Sequence, residues 1–336
     1  MIIDAHAHVV APDALYAFRS AILASGGHGR MSAKISDDAV ASNADGNIAI
    51  MDAVGTDLQL ISPRPFQQGH SMRPPVMVHK WIAANNDYIH RTVQYAPTRF
   101  AGVAGLPVTP EEPVEDALPE LSRAVEELGF VGVSVNPDPS EGLGTPPALG
   151  EKYWYPLYER LCELNVPMHV HSGGCFSGRE TYSEHFVTEE SIAILSILRS
   201  DVRKDFPDLK VMISHGGGSV PYQLGRWQAE QLHPGLGGGP DAERFEDMLR
   251  YFYFDTVLHY PLALELLIKT VGADRCLFGT ERPGSGSTNN PDTGRPYDDL
   301  KPVIESMSFL SEADRTSIFE ANVRAVFPRL RTDTEN

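Results

Sequence analysis

Eight short apolar segments recur along this chain of 336 residues, and most are followed by a longer amphipathic segment. Segments such as VGVSV at 131–135 and KVMIS at 210–214 are apolar on both faces, which is typical of parallel strands covered by helices. The predicted strands are residues 2–9, 58–62, 100–106, 129–135, 167–171, 210–214, 251–255 and 275–279. Strands that alternate with helical patterns indicate an α/β fold, and eight of them in this length predict a (β/α)8 TIM barrel.

Helices and loops are predicted between these strands. Apolar residues at i, i+3 and i+4 spacing predict helices over residues 78–95, 115–128, 154–164, 191–204 and 312–327. Two segments rich in Gly, Ser, Asp or Pro predict long loops that shape the barrel mouth: residues 25–47, with some helical character, and residues 283–296. No internal repeat divides the chain, so we expect one domain over residues 1–336.

The charge balance restricts the possible partners. Lys and Arg total 28 against 45 Asp and Glu, which gives a net charge of −17 and disfavours binding to nucleic acid or to anionic membranes. No apolar stretch is long enough to span a bilayer, and the first residues lack the pattern of a signal peptide. The three cysteines show no paired spacing, so we expect reduced thiols and a cytoplasmic protein.

Two histidines end the first predicted strand. His6 and His8 are two residues apart, and alternate side chains of a strand point to the same face. The carboxyl ends of barrel strands form the mouth where such enzymes place their sites. Two neighbouring imidazoles there are half of a site for a divalent ion, with Zn²⁺ as our first expectation and Mn²⁺ as the alternative.

Further candidate groups follow the fifth, sixth and eighth strands. His171 ends the fifth strand and is the predicted third metal ligand, whereas His169 lies further from the rim. His215 opens an HGGG turn, whose glycines let the backbone approach the site closely, before a helix expected near Ser219 with an N-terminus suited to an anion. Glu281 stands just beyond the eighth strand, where a carboxylate can act beside a metal.

Together these motifs resemble the amidohydrolase superfamily, over essentially the whole chain. The DxHxH motif at 4–8, the histidine after strand five, HGGG at 215–218 and the acid after strand eight resemble its branch of decarboxylases and hydratases. Most members of that branch have Asp after strand eight, whereas this chain has Glu281 in a GTERPG loop. That loop, the segment NPDTGRPYDD at 290–299 and ISPRP at 61–65 are similar to the 4-oxalomesaconate hydratases.

The resemblance implies a metal-dependent lyase. Its expected reaction is the addition of water to a C=C bond of an unsaturated polycarboxylic keto or enol acid in aromatic-acid catabolism. Glu281 is then the base that accepts a proton from the attacking water, or a direct metal ligand, and both roles stay open. His215 acts as general acid or base. Asp4 orients one of the metal-binding imidazoles.

An anionic substrate also needs cations or hydrogen-bond donors. Arg64, Arg282 and Arg295 are the expected partners of its carboxylates, because guanidinium groups bind carboxylates bidentately, and His169 is a further substrate-binding candidate. Asp255, at the end of the seventh strand, is a weaker candidate for the site. The expected partner is a small carboxylate, and we expect a homo-oligomer, a dimer or larger.

Three other functions remain open at this point. The first is non-oxidative decarboxylation of an aromatic or muconate-type acid, and the second is hydrolysis of a lactone or amide. The third is metal binding without catalysis, which an open coordination position disfavours because structural zinc sites are usually closed by four protein ligands. Glu281 favours hydration over decarboxylation, because an Asp there is the rule among the rest of the branch.

Overall fold

Eight parallel strands form one sheet whose order follows the chain from β1 to β8. The computed structural model describes residues 1–65, 68–236 and 238–330. The strands are β1 Ile3–His8, β2 Leu58–Ser62, β3 Phe100–Gly105, β4 Gly132–Val135, β5 Met168–Val170, β6 Val211–Ile213, β7 Phe252–Asp255 and β8 Cys276–Leu277. The Ala5 and His8 N–H groups donate to Phe278 O and Arg282 O at 2.8 and 2.9 Å, which brings β1 against the chain that follows β8. The predicted (β/α)8 barrel and all eight predicted strands are confirmed.

Helices surround this sheet. Their bounds are α1 Asp13–Ser25, α2 Asp37–Val54, α3 Val76–Tyr95, α4 Leu118–Ser122, α5 Tyr155–Leu164, α6 Tyr182–Leu198, α7 Val202–Asp205, α8 Leu224–Leu232, α9 Phe245–Leu249, α10 Pro261–Val271, α11 Lys301–Ser306, α12 Glu312–Thr316 and α13 Asn322–Val326. The predicted helices over 78–95 and 154–164 correspond to α3 and α5. The prediction over 191–204 is wrong at its start, because α6 begins at Tyr182, where Thr181 and Glu184 form a capping box.

The long loop predicted over residues 25–47 is wrong in its second half. Helix α2 begins at Asp37, and the Ser36 hydroxyl accepts a hydrogen bond from Ala39 N at its start. Val40, Ala44 and Met51 are buried along one side of the helix. Several of the Gly, Ser, Asn and Asp residues that suggested a loop lie instead at exposed positions of this helix. By contrast, residues 283–296 are irregular as predicted, apart from one 3-10 turn over Ser285–Ser287.

The last helical segment closes the end of the barrel at which the strands begin. The run predicted over 312–327 is present as α12, a π-helical turn over Ser317–Ala321, and α13. Val326 and Phe327 are fully buried in one cluster with the first residues of the strands, among them Ile3 and Leu58. A Cβ on Gly132 would lie 2.7 Å from the Phe327 ring, so only glycine fits there. Because this apolar cluster fills one end of the barrel, we expect functional groups at the opposite end, where the strands have their carboxyl ends.

No helix within the described ranges combines the length and the apolar character that crossing a bilayer requires.

Candidate metal and catalytic site

Three imidazoles meet at the carboxyl end of the sheet. β1 carries His6 and His8 on the same face, and His171 follows the last residue of β5. The ring centroids of His6 and His171 are 4.8 Å apart, and those of His8 and His171 are 5.3 Å apart. All three side chains are buried. The predicted ligand set is thus brought together by two strands that lie on different sides of the barrel.

Each of these imidazoles is held by its Nδ1 atom. Asp255 Oδ2 lies 2.6 Å from His6 Nδ1, Ser62 Oγ lies 2.9 Å from His8 Nδ1, and Ser172 O lies 2.8 Å from His171 Nδ1. An acceptor on Nδ1 leaves the proton there and turns the lone pair of Nε2 outward, as is usual for histidines that bind metals.

The Nε2 atoms of the three histidines match a metal site. Within the described residues none of the three has a hydrogen-bond partner, although all are buried. One ring nitrogen from each of the three histidines can be chosen so that all three nitrogens lie within 4.8 Å of one another. Burial lowers the pKa of His8 and His171 well below the usual range, and neighbouring imidazoles lower it further, which favours the neutral form that a metal requires. Three convergent nitrogens without partners among the described residues fit a divalent ion.

Asp255 takes the orienting contact that was expected of Asp4. Its second oxygen accepts hydrogen bonds from the N–H groups of Gly216 and Val257, both at 3.1 Å. Asp4 instead accepts hydrogen bonds from Gln59 Nε2 at 3.0 Å and from Thr280 Oγ1 at 2.6 Å. Asp4 therefore connects β1 to β2 and to the chain after β8. Neither of these two hydrogen bonds involves an imidazole nitrogen.

His169 lies beneath the three imidazoles. Its Nε2 is 2.7 Å from Ser214 Oγ, and its ring centroid is 4.6 Å from that of His6. It is 2% exposed, and burial lowers its pKa well below the usual range. The imidazole is enclosed in the barrel below the mouth, and the expected contact of His169 with substrate stays a prediction.

His215 and Glu281 face one another beside the histidine cluster. Their Nε2 and Oε1 atoms are 3.4 Å apart. Both residues adopt positive φ, 49° and 61°, a conformation that non-glycine residues rarely take and that often marks functional sites. The Glu281 N–H donates to His6 O at 2.7 Å, so the strained turn of Glu281 is bonded directly to β1.

The charges of this pair follow from their surroundings. Burial opposes the charged form of His215, but the carboxylates of Glu190 and Glu281 outweigh it and raise its pKa well above the usual range. Burial also opposes ionisation of Glu281, yet its close contact with His215 and the nearby imidazoles lower its pKa. The geometry thus pairs a protonated imidazole with an ionised carboxylate.

A cavity of about 280 Å³ opens above these groups. It is lined by His8, Arg64, Pro65, Tyr182, Glu281, Pro283, Gly284 and Ser285. Arg64 and Glu281 thus line the same cavity, and the binding of substrate by Arg64 stays a prediction. Tyr182, from the first turn of α6, was missed together with the start of its helix.

The other two predicted arginines lie elsewhere. Arg282 is 6% exposed and forms a two-fold ion pair with Asp298, whose Oδ2 is 3.0 Å from its Nε. Arg295 lies in the exposed loop, and its Nε is 2.8 Å from Asp299 Oδ2. An aspartate contacts each guanidinium in this structure, and the expected substrate contacts of Arg282 and Arg295 stay predictions.

The turn after β6 also differs from the expectation. His215–Gly217 form a 3-10 turn, and α8 begins only at Leu224, five residues beyond Ser219. The three glycines have positive φ, and Cβ atoms on Gly217 and Gly218 would lie 2.7 and 2.5 Å from Phe254 and Val187. They allow close packing against the neighbouring elements, and helical structure resumes with a 3-10 turn over Pro221–Gln223 that leads into α8.

Comparison with known proteins shows the family. The amidohydrolase family model matches residues 3–329. The chain belongs to the amidohydrolase family. It is 34% identical over 338 residues to 2-keto-4-carboxy-3-hexenedioate hydratase of Sphingobium sp. (strain NBRC 103272 / SYK-6), covering 98% of this chain and 97% of that protein. It is 27% identical over 301 residues to gamma-resorcylate decarboxylase of Polaromonas sp. (strain JS666 / ATCC BAA-500), covering 84% and 86%.

A solved relative has the same fold. The crystal structure of 4-oxalomesaconate hydratase from Rhodopseudomonas palustris superposes with a TM-score of 0.86 at 33% identity, covering 98% of this chain and 96% of that chain. The resemblance to this branch of the family, expected from the motifs, is confirmed. This amidohydrolase relative of hydratases and decarboxylases carries the His215–Glu281 pair beside the three convergent imidazoles.

Proposed function

We propose that the protein is a metal-dependent hydratase that adds water across a C=C bond conjugated to a carbonyl in an unsaturated polycarboxylic acid. The observation that carries the proposal is the pairing of Glu281 with His215, 3.4 Å apart, at the edge of three convergent imidazoles. Water addition needs one group that accepts a proton and another that donates one, and this pair offers both. The hydratase relatives support the same reaction.

The metal would be held by Nε2 of His6, His8 and His171, with Glu281 at or next to the ion. We propose Zn²⁺, because three nitrogen ligands suit it, with Mn²⁺ as the alternative. When bound, such an ion supplies Lewis acidity toward water and toward a substrate oxygen.

The residues of the chain would move the protons. Glu281 accepts a proton from the attacking water, whose oxygen forms a bond to the β-carbon of the conjugated acid. The electrons of the C=C bond shift toward the carbonyl oxygen and return when the α-carbon takes a proton from His215 Nε2. The balance is one water added and no carbon–carbon bond broken. The lowered pKa of Glu281 and the raised pKa of His215 match these starting states.

Arg64 would bind a substrate carboxylate. It shares the cavity of about 280 Å³ with Glu281 and Tyr182, so a carboxylate held by its guanidinium lies within one small molecule's length of the proton-transferring groups. This supports a small anionic acid, such as an intermediate of aromatic-compound catabolism, as the substrate class.

A second candidate function is decarboxylation of an aromatic or muconate-type acid, which the gamma-resorcylate decarboxylase relative favours. The same residues would serve it differently: the carbon–carboxylate bond breaks, CO2 leaves, and the carbon takes a proton. Glu281 would then have no water to deprotonate.

The setting of the enzyme is also part of the proposal. We propose one catalytic domain over residues 1–336, of which 331–336 lie outside the described residues, because the site draws on strands from β1 to β8. Three free cysteines support a cytoplasmic protein. Large exposed side chains on and before α10, Tyr260 and Leu262 at 63% and 62%, support a homo-oligomer.

The deciding experiment follows two products at once. Metal-loaded enzyme is incubated with conjugated unsaturated di- and tricarboxylic keto acids, and loss of conjugated absorbance is recorded together with CO2 release. Hydration predicts loss of absorbance, a product heavier by one water and no CO2. Release of CO2 without a hydrated product would transfer the assignment to the decarboxylase.

A further inference from the structure

Helix α6 presents one face to His215. Phe186 and Glu190 are four residues apart, so their side chains lie on the same side of the helix. The Phe186 ring stacks on the His215 ring at 5.4 Å between centroids and 20° between planes. Both Glu190 oxygens contact His215 Nδ1, at 2.8 and 3.0 Å. One nitrogen and one ring face of His215 are thus occupied by a single helix.

The helix is also fastened to the turn that carries His215. The Ser219 N–H donates to Ser191 Oγ at 2.9 Å. A Cβ on Gly218 would lie 2.5 Å from Val187 O, so the turn rests directly on the helix backbone. Glu190 is therefore held at a fixed distance from the imidazole by contacts on both sides of it.

The contact with Glu190 determines which nitrogen of His215 can exchange a proton. A carboxylate only accepts hydrogen bonds, so a proton stays on Nδ1 and Nε2 is the atom left to exchange one. That Nε2 faces Glu281 Oε1 and, within the described residues, has no hydrogen-bond partner although it is buried. Without Glu190 the ring could turn over or carry its proton on the wrong nitrogen.

We infer that Glu190 is a positioning residue, which holds the His215 imidazole so that Nε2 delivers the proton to the substrate. The inference rests on the proposed role of His215 in hydration. Neither the sequence motifs nor the strand ends point to Glu190, because it lies in the middle of a helix. It acts through His215 and has no contact with the reacting atoms.

The test is a double-mutant cycle. Glu190→Gln keeps the size of the side chain and removes its charge, and His215→Asn removes the group through which Glu190 acts. With wild-type His215, we expect Glu190→Gln to lower kcat about 10²-fold and to leave KM within about threefold, as for loss of an interaction used only in the transition state. Metal content, measured by elemental analysis, should equal that of the wild type.

The decisive reading comes from the His215→Asn background. There Glu190→Gln should change kcat less than about twofold, since residues that act as one unit are not additive. The matched control is Glu189→Gln, the adjacent carboxylate on the other side of the helix, which should keep wild-type kcat. If Glu190→Gln does not fold, Glu190→Asp is measured in the same cycle, with a loss of about tenfold expected from the shortened reach.

Two results would overturn the inference. One is a kcat of the Glu190 variant within about threefold of the wild type. The other is an equal loss in both backgrounds, which would mean that Glu190 acts independently of His215. Failure of the proposed function is visible separately, because the wild type would then release CO2 or add no water, and the cycle is run on whichever reaction it catalyses.

Discussion

Helix α6 separates two cavities that differ in chemistry. The larger, about 520 Å³, is lined by His185 and Glu189, and the smaller, about 280 Å³, by Tyr182 with Glu281 and Arg64 across from it. In the larger cavity both nitrogens of His185 face carboxylates, Glu180 at 2.9 Å and Asp138 at 3.4 Å. Beside the smaller cavity the three metal-site histidines keep Nε2 without a partner among the described residues. His185 Nε2 also lacks a hydrogen-bond partner in the described part of the chain but faces the Asp138 carboxylate, so the convergence of three unpartnered imidazole nitrogens, and not volume, marks the candidate functional cavity.

The largest expected effect separates the histidines of the two cavities. His171→Ala should lose most of the bound metal and lower turnover about 10³-fold or more, since a Lewis acid is worth several kcal/mol. His185→Ala, the matched control, should keep the metal and keep turnover within about threefold. Elemental analysis and steady-state rates measure both. Full metal occupancy in the His171 variant would remove the basis of the comparison.

The carboxylates of the two cavities should differ nearly as much. Glu281→Gln should hold its metal while turnover falls about 10²-fold, the scale on which loss of a general base acts. Metal loss instead would make Glu281 a ligand. Glu189→Gln, in the larger cavity, should be close to the wild type. Near-normal hydration by a fully metallated Glu281→Gln enzyme would refute the role of Glu281 as base.

Arg64 and Arg295 test the comparison through substrate binding, measured as KM. Arg64→Ala should raise KM about 10- to 100-fold, because a charged hydrogen bond is worth about 1.5–3 kcal/mol. Arg295→Ala, whose guanidinium lies on Asp299 in an exposed loop, should change KM less than about twofold. Initial-rate kinetics on one substrate measure both. Equal effects of the two variants would mean that the loop closes over the substrate and brings Arg295 into the site.

The smallest expected effect is the contribution of His185, in the larger cavity, to the free energy of unfolding. Burial opposes the charge of His185, but Asp138 and Glu180 outweigh it and raise its pKa from 6.5 to about 9. A raised pKa stabilises the fold fully below the unfolded value, and this contribution is lost as the pH rises through 9. It amounts to at most about 3 kcal/mol.

Urea unfolding of the wild type and of His185→Gln measures this contribution at pH 7.5 and at pH 10.5. Burial and Asp138 raise the pKa of Glu189 to about 7 and His185 opposes that rise, so both proteins also carry Glu189→Gln, which removes this titration from the comparison. The difference in unfolding free energy between the two proteins should shrink at the higher pH. An unchanged difference would show that His185 contributes by packing alone.

Much of this site was predictable from local patterns. Strand alternation places His6 and His8 on one face, and the rule that barrel strands end at one mouth brings in His171, His215 and Glu281. The start of α6 was also available to sequence reasoning, because TYSE at 181–184 has the form of a capping box. Missing that signal hid Tyr182 and Phe186.

Partner choice was not predictable in the same way. Asp4 and Asp255 both stand on strands that reach the site, and only the barrel shows that Asp255 meets His6 at 2.6 Å while Asp4 bonds to Thr280. Arg282 stands next to Glu281 in the chain, yet its side chain extends to Asp298 on the other side of the backbone. Glu281 has positive φ, so the chain turns between these two residues and their adjacency in sequence gives no shared contact.

The sequence by itself determined the barrel, because alternating apolar strands and amphipathic helices have few other ways to bury their faces. It also determined which strand ends carry nitrogen and carboxylate groups. Only the tertiary structure decided which of those groups touch. Glu190 reaches His215 from 25 residues away in the chain, through a helix packed on a glycine turn. Such a contact depends on packing distances of tenths of an ångström, which no periodicity in a sequence records.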